Sequence, residues 1–248
     1  MKVRTQLSRI ISSHLSELNE WENDRVEYYK MVANSYSELE NSIAVLSDMA
    51  RGKSYVYYGG FARTLGLDRK APLSVDTIWE DDILGRVHPD DLERKYLGEL
   101  HFFRFLKRQP RRFRSAFSLH AVIRMRTSTG IYLPVLHRLF YLYSSDRLRL
   151  ALCLYNAAVA TDGYACRIVD SRTGQVTELG ESVSDDLLSE RERQILQLVD
   201  RGLMSKDIAQ MLSISVNTVS RHRQGILRKL NVRSSIEACR IAKELNLL

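Results

Sequence analysis

Residues 187–248 hold four short runs in which an apolar residue returns every three or four positions, and no proline interrupts them. That period is helical, and the few residues between runs leave room only for tight turns, so the segment must fold as a small packed helical unit. "LLSERERQILQLVDRG" opens on Ser189 as N-cap with Glu192 three residues on, a capping box. Ile195, Leu196, Leu198 and Val199 form its apolar face, and Gly202 ends it. "SKDIAQMLSI" reads as a second helix capped by Ser205, with Ile208, Ala209 and Leu212 inward. "SIS" leads into a third helix capped by Ser215, and "SSIEACRIAKELNLL" makes a fourth, with Ile236, Cys239, Ile241, Ala242 and Leu245 on its apolar side.

The third run, "VNTVSRHRQGILRKL", has two faces. Val216, Val219, Ile226, Leu227 and Leu230 point one way for packing. Asn217, Ser220, Arg221, Gln224 and Arg228 share the other, which contains no acid and is rich in hydrogen-bond donors. This is the composition of a helix that reads the major groove, where Arg pairs with guanine and Asn or Gln with adenine. The competing reading, a solvated basic face of a protein–protein adaptor, is weakened by the short turn and by charge. Residues 187–248 carry eleven Lys/Arg against six Asp/Glu, so they supply five of the seven net positive charges of the 248-residue chain. With a pI near 9.4, the balance favours a polyanionic partner.

Elsewhere the chain changes character. Residues 1–52 lack proline and, up to Arg51, glycine; apolar residues from Leu7 to Leu46 keep helical spacing, which predicts one or two helices available for packing or dimerisation. Residues 53–180 predict a sheet domain. "KSYVYYGG" alternates as a strand, "FARTLGL" is a short helix, and a charged helical stretch runs to Pro110. "RRFRSAFSLHAVIRMR", "GIYLPVLHRLFYLY" and "RLRLALCLYNAA" follow as three strands. A last hairpin, "YACRIVD" with "QVTEL", turns at Gly174. The acidic, polar residues 181–186 read as a linker, so the whole is α+β: a helical segment, an antiparallel sheet domain and a four-helix C-terminal domain. The three cysteines, Cys153, Cys166 and Cys239, are too few and scattered for a disulfide framework or zinc site and read as core thiols. The N-terminus lacks a secretory h-region, and no apolar run approaches the ~20 residues that span a bilayer, so a cytoplasmic protein without a membrane role is expected.

Two resemblances sharpen this. "SYVYYGGFARTLGL", "VHPDDLERK" and "MRTSTGIYLPVLHRLFYL" resemble a PAS domain over roughly 53–158, with a longer helix at 96–109 than that family has. "LSERERQILQLVDRGLMSKDIAQMLSISVNTVSRHRQGILRKLNVRSSIEA" closely resembles the LuxR-type (GerE-like) helix-turn-helix of bacterial regulators, with Leu188, Ser189, Arg191, Glu192, Gly202, Lys206, Ile208, Ala209, Ser215, Thr218, Val219, His222, Lys229 and Leu230 at matching positions. Ser220 and Arg221 stand where relatives often carry a Lys after the Thr-Val pair. The resemblance implies that Lys206 and Thr218 contact phosphates and that exposed third-helix residues read bases. The implied DNA-contacting set is Lys206, Ser215, Asn217, Thr218, Ser220, Arg221, Arg223, Gln224, Arg228 and Lys229.

A transcriptional regulator follows as the expectation, bound to double-stranded DNA as a homodimer on an inverted repeat, with the PAS-like domain controlling dimerisation or sensing a signal. RNA polymerase and an unidentified small molecule are further expected partners. A receiver domain is disfavoured because residues 1–50 read as helix. A homoserine-lactone pocket is disfavoured because Trp21 and Trp79 stand far apart without that pattern. No nucleophile–base pair, metal spacing or phosphate loop supports an enzyme, and no cofactor is expected. His88 of "HPDD" is weighed as a haem ligand and set aside. His101, His120, His137 and the packed His222 read as structural, and Arg104, Lys107, Arg108, Arg111, Arg112 and Arg114 as a solvated basic face.

Overall fold

The computed structural model describes residues 4–5, 7–8, 20–67, 72–144, 147–158, 165–179, 188–230, 232–244 and 247–248. The chain divides into two compact units: Ile11–Gly180, and Glu181–Leu248 together with Met1–Ile10. The expected linker at 181–186 and the fourth-helix residue Leu245 lie outside the described residues.

The first unit is an antiparallel sheet between two long helices. Helix α1 is Glu20–Leu39, followed by strands β1 (Ile43–Asp48) and β2 (Lys53–Tyr58), helix α2 (Phe61–Thr64), β3 (Leu73–Val75), α3 (Asp81–Leu84) and α4 (Pro89–Arg108). Then come β4 (Phe117–Arg126), β5 (Tyr132–Ser144), β6 (Arg147–Ala157), β7 (Ala165–Asp170) and β8 (Val176–Glu178). The eight strands lie in the order β3-β2-β1-β6-β5-β4-β7-β8. The hairpin turn after β7 places Gly174 at φ +72°, as its sequence context requires.

Strand β1 is a correction to the sequence reading, which extended helix through Leu46. Asn41 ends α1 in the left-handed region at φ +53°. The Ser42 amide donates to the Ser37 carbonyl at 3.0 Å and the Asn41 amide to Glu38 at 3.4 Å, the paired closure of a Schellman motif. All six residues of β1 are buried and its first four, Ile43 to Leu46, are apolar on both faces, so the strand shows no alternation that would separate it from helix. It pairs with β2 on one side and β6 on the other, Ile43 opposite Tyr58 and Tyr155. A second correction is smaller: Arg111–Ala116, read as strand, is a 3-10 turn after Pro110.

Alternation then sorts the side chains of the central strands between two layers. Leu46, Leu150, Leu152 and Leu154 meet Val26 and Ala33 of α1. On the opposite face Phe102 and Phe103 of α4 pack on Tyr141, with ring centroids 5.5 and 6.1 Å apart. At the start of α4, His88 accepts a hydrogen bond from the Asp90 amide through Nδ1 at 3.3 Å, so its imidazole is a helix cap. The Asp91 carboxylate accepts from the Arg124 amide, Nε and Nη2 at 2.8 to 2.9 Å, tying α4 to β4. Burial would raise the Asp91 pKa, but these Arg124 bonds hold it below the ordinary carboxylate value. "HPDD" is a structural joint in this chain.

The same face of the sheet buries charge. Lys95 donates to Glu99 at 2.6 Å, both nearly inaccessible, and the Tyr155 hydroxyl donates to Glu80 at 2.8 Å. His137 is fully buried, its Nε2 3.9 Å from Glu99 Oε1, and burial together with the nearby Lys95 charge holds it well below the ordinary imidazole value. Desolvation opposes the Lys95 charge, but the Glu99 and Glu80 carboxylates outweigh it and keep the ammonium protonated. The basic cluster divides. Lys107, Arg108, Arg111 and Arg112 are exposed, whereas Arg104 is drawn inward, where burial and then Arg108 pull its guanidinium down to about 10.

Candidate nucleic-acid interface

The second unit contains α5 (Glu190–Asp200), α6 (Ser205–Met211), α7 (Val216–Leu230) and α8 (Ser235–Glu244). Its core is made of Leu188, Ile195, Leu196, Ile208, Val219, Ile226, Leu230, Ala238 and Ala242, each at most 2% exposed. Leu7, grouped with this unit, is fully buried.

Each turn is fixed by a local device. Ser189 and Glu192 form the capping box expected at α5, Ser189 Oγ accepting from the Glu192 amide and Glu192 Oε2 from the Ser189 amide. Gly202 at φ +85° closes α5, with the Leu203 amide donating to Leu198 at 3.1 Å. Between α6 and α7, Ser213 adopts φ +52° and the Ile214 amide donates to Ala209 at 3.0 Å. Arg191 Nη2 donates to the Leu212 carbonyl at 2.9 Å, bracing that turn from α5. Ser215 Oγ accepts from the Thr218 amide at 3.0 Å and so caps α7, while its hydroxyl shares a hydrogen bond with Thr218 Oγ1 at 2.8 Å.

One cap differs. Ser205 is the first helical residue of α6, not its cap; Met204 holds the N-cap position, and its amide donates to Asp207 at 3.2 Å. The Ser205 hydroxyl instead accepts from Arg223 Nη1 at 2.8 Å. Arg223 Nη2 donates to Ser235 Oγ at 2.9 Å, so this guanidinium joins α7 to the starts of α6 and α8. Lys229 is likewise engaged, its ammonium 2.5 Å from the Glu192 carboxylate. Burial would raise the Glu192 pKa, but the bonds from Lys229 and the Ser189 amide hold it below the ordinary value.

Of the remaining residues of the expected set, all but Thr218 face solvent. Asn217, Ser220, Arg221, Gln224 and Arg228 are all exposed along α7, and Lys206 is exposed on α6. Thr218 is half-buried and Ser215 exposed, both held by the cap. Arg223 is therefore separated from the exposed stripe, half-buried with both Nη groups spent within the fold, whereas Lys229 stays exposed while paired with Glu192. Two apolar assignments also change, since Val216 is 44% and Ile236 85% exposed. Both sit in the first turn of their helix, where the chain has only begun to cross the core. His222 is half-buried on α7.

Residues 186–242 match the GerE family model, bacterial regulatory proteins of the luxR family. The C-terminal unit is a LuxR-type helix-turn-helix domain. Curated relatives of this domain include the uncharacterized response regulatory protein YgeK of Escherichia coli, 46% identical over 59 residues, 24% of this chain and 40% of YgeK. The oxygen regulatory protein NreC of Staphylococcus epidermidis is 38% identical over 78 residues, 32% of this chain and 35% of NreC. BvgA of Bordetella pertussis, a virulence factors putative positive transcription regulator, is 37% identical over 82 residues, 31% of this chain and 39% of BvgA. The chain thus spans about two fifths or less of each of these relatives. Among solved structures, the phage VqmA–DPO complex aligns over 88% of this chain and 89% of that one at 16% identity and TM-score 0.32. The Vibrio cholera VqmA–ligand–DNA complex aligns over 88% and 86% at 14% identity and TM-score 0.34. Scores this low do not establish a shared fold.

Among the described residues no helix is long and apolar enough to cross a membrane, and no group of three or more His, Cys, Asp or Glu could hold a metal ion.

Proposed function

We propose that the chain is a sequence-specific transcriptional regulator of the cytoplasm, in which α7 of the LuxR-type domain lies in the major groove of double-stranded DNA. The observation that carries this reading is the acid-free exposed stripe Asn217, Ser220, Arg221, Gln224 and Arg228 on a domain of a regulatory family. Arg221 and Arg228 suit guanine edges, Asn217 and Gln224 adenine edges, and Ser220 either. Lys206, with Ser215 and Thr218 at the head of α7, holds the phosphate backbone and sets the register. Arg223 acts behind the interface, fixing the pose of α7, while the exposed Lys229 remains a DNA contact near the end of that helix.

One such helix reaches only a few base pairs, each good pairing giving about 1–3 kcal/mol of discrimination, so useful specificity needs two copies on an inverted repeat. The sheet unit, PAS-like in our reading over roughly residues 53–158, controls that pairing or senses a signal, and RNA polymerase is the downstream partner. Interior charge supports sensing: Glu80, Lys95 and Glu99 are buried where packing alone would favour apolar residues.

Selection of bound fragments from a genomic duplex pool tests the reading, with recovery of a two-fold symmetric word expected. Arg221→Ala should flatten preference at one position of each half-site. Lys206→Ala should weaken all sequences alike and reduce the slope of log K against log salt by about one. An unchanged salt slope would remove Lys206 from the phosphate contacts.

A further inference from the structure

Helix α1 of the sheet unit shows two faces with different fates. Val26, Ala33 and Ser37 are buried, and the Lys30 ammonium stands 3.9 Å over the Tyr55 ring. On the opposite side Tyr28 is 55%, Met31 64% and Leu39 86% exposed, with Tyr36 at 39% on the edge. At 100° per residue, Asp24, Tyr28, Met31, Ser35 and Leu39 fall on one side of the helix, spaced by three or four.

We propose that this face of α1 is where a second copy of the chain pairs with the first. The inference rests on the DNA reading above for its need of two copies: an inverted repeat demands a two-fold axis, and a two-fold axis demands a surface that fits itself. The α1 face meets that demand in three ways. Its centre, Met31 and Ser35, is uncharged, so each copy can meet its own image without like charges in contact. The charges on and beside the face, Asp24, Arg25, Glu27 and Glu38, are of both signs and leave two net negative charges, which gives a strongly acidic or basic partner little to hold. Glu27 is already bonded to Lys30 and Glu38 to Asn34, each at 2.7 Å.

Area points the same way. With large side chains presenting ~150–250 Å² apiece, the exposed parts of Tyr28, Met31, Tyr36 and Leu39 amount to on the order of 500 Å² per copy. Doubled across a two-fold axis this reaches about 1,000 Å², where specific interfaces begin. The opposite face is anchored on the sheet, so the helix arrives at the partner already ordered and little entropy is spent on pairing.

The test uses the full-length chain carrying Met31→Glu, with Met31→Leu as the conservative control and thermal melting to verify folding. Sedimentation over a concentration series should give a dimer for the wild type and Met31→Leu, and a monomer for Met31→Glu. On duplexes, Met31→Glu should lose at least tenfold in affinity for a full inverted site while binding an isolated half-site as the wild type does. A folded Met31→Glu chain that remains dimeric overturns the proposal, as does a wild type that is monomeric with and without DNA. A wild type that dimerises through this face but binds no duplex overturns the DNA reading and leaves the α1 pairing standing.

Discussion

Arg223 was indistinguishable in sequence from the arginines beside it, because spacing places a side chain on a face but does not say what its donors find. Two serine hydroxyls, Ser205 and Ser235, take its guanidinium at 2.8 and 2.9 Å and turn it into an internal tie. Arg223→Ala should therefore lower the melting stability of the unit by about 1–3 kcal/mol, the cost of removing charged hydrogen bonds. The bases selected from a duplex pool should stay the same. A changed word with unchanged stability would return Arg223 to the DNA-reading set. Asn217, Ser220, Arg221, Gln224 and Arg228 were legible because an acid-free exposed stripe follows from period and composition alone. The ion pair of Lys229 was illegible for the reason that applied to Arg223: its partner, Glu192, lies thirty-seven positions away in sequence.

At the level of helices and strands, caps and breakers decided what could be read. Ser189 with Glu192, Gly202 and Ser215 announce their ends chemically, and each end fell where expected. The α1–β1 boundary did not, because Asn41 supplies the left-handed residue that glycine usually marks. The α5 capping box carries a pH dependence. Glu192 has a folded pKa below its ordinary value, so its contribution is fully present above that ordinary value, near 4.5, and is lost as pH falls through the lower folded value. Acid titration of the wild type should show this loss, and Glu192→Gln should flatten that part of the curve. In α4 the Lys95–Glu99 pair makes a sharper demand. Lys95→Met strands a buried carboxylate and should cost about 3–5 kcal/mol, whereas Lys95→Met with Glu99→Leu should recover most of the loss in the same denaturation measurement.

For the molecule as a whole, the sheet order explains why a division at residue 52 fails. β1 lies between β2 and β6, so a chain beginning at Lys53 keeps most of the sheet but exposes the edge of the eleven-residue β6. Such a chain should be insoluble or aggregate, while one beginning at Glu20 should stay soluble and keep its strand signal in circular dichroism. The central position of β1 has another consequence, for timing. Its register places Asp48 opposite Leu150, about a hundred residues later. At ~5–20 residues per second of synthesis, β1 leaves the ribosome roughly 5–20 s before its second neighbour exists. During that interval the nascent hairpin has one open side, and a chaperone that shields extended apolar chain would find its substrate there.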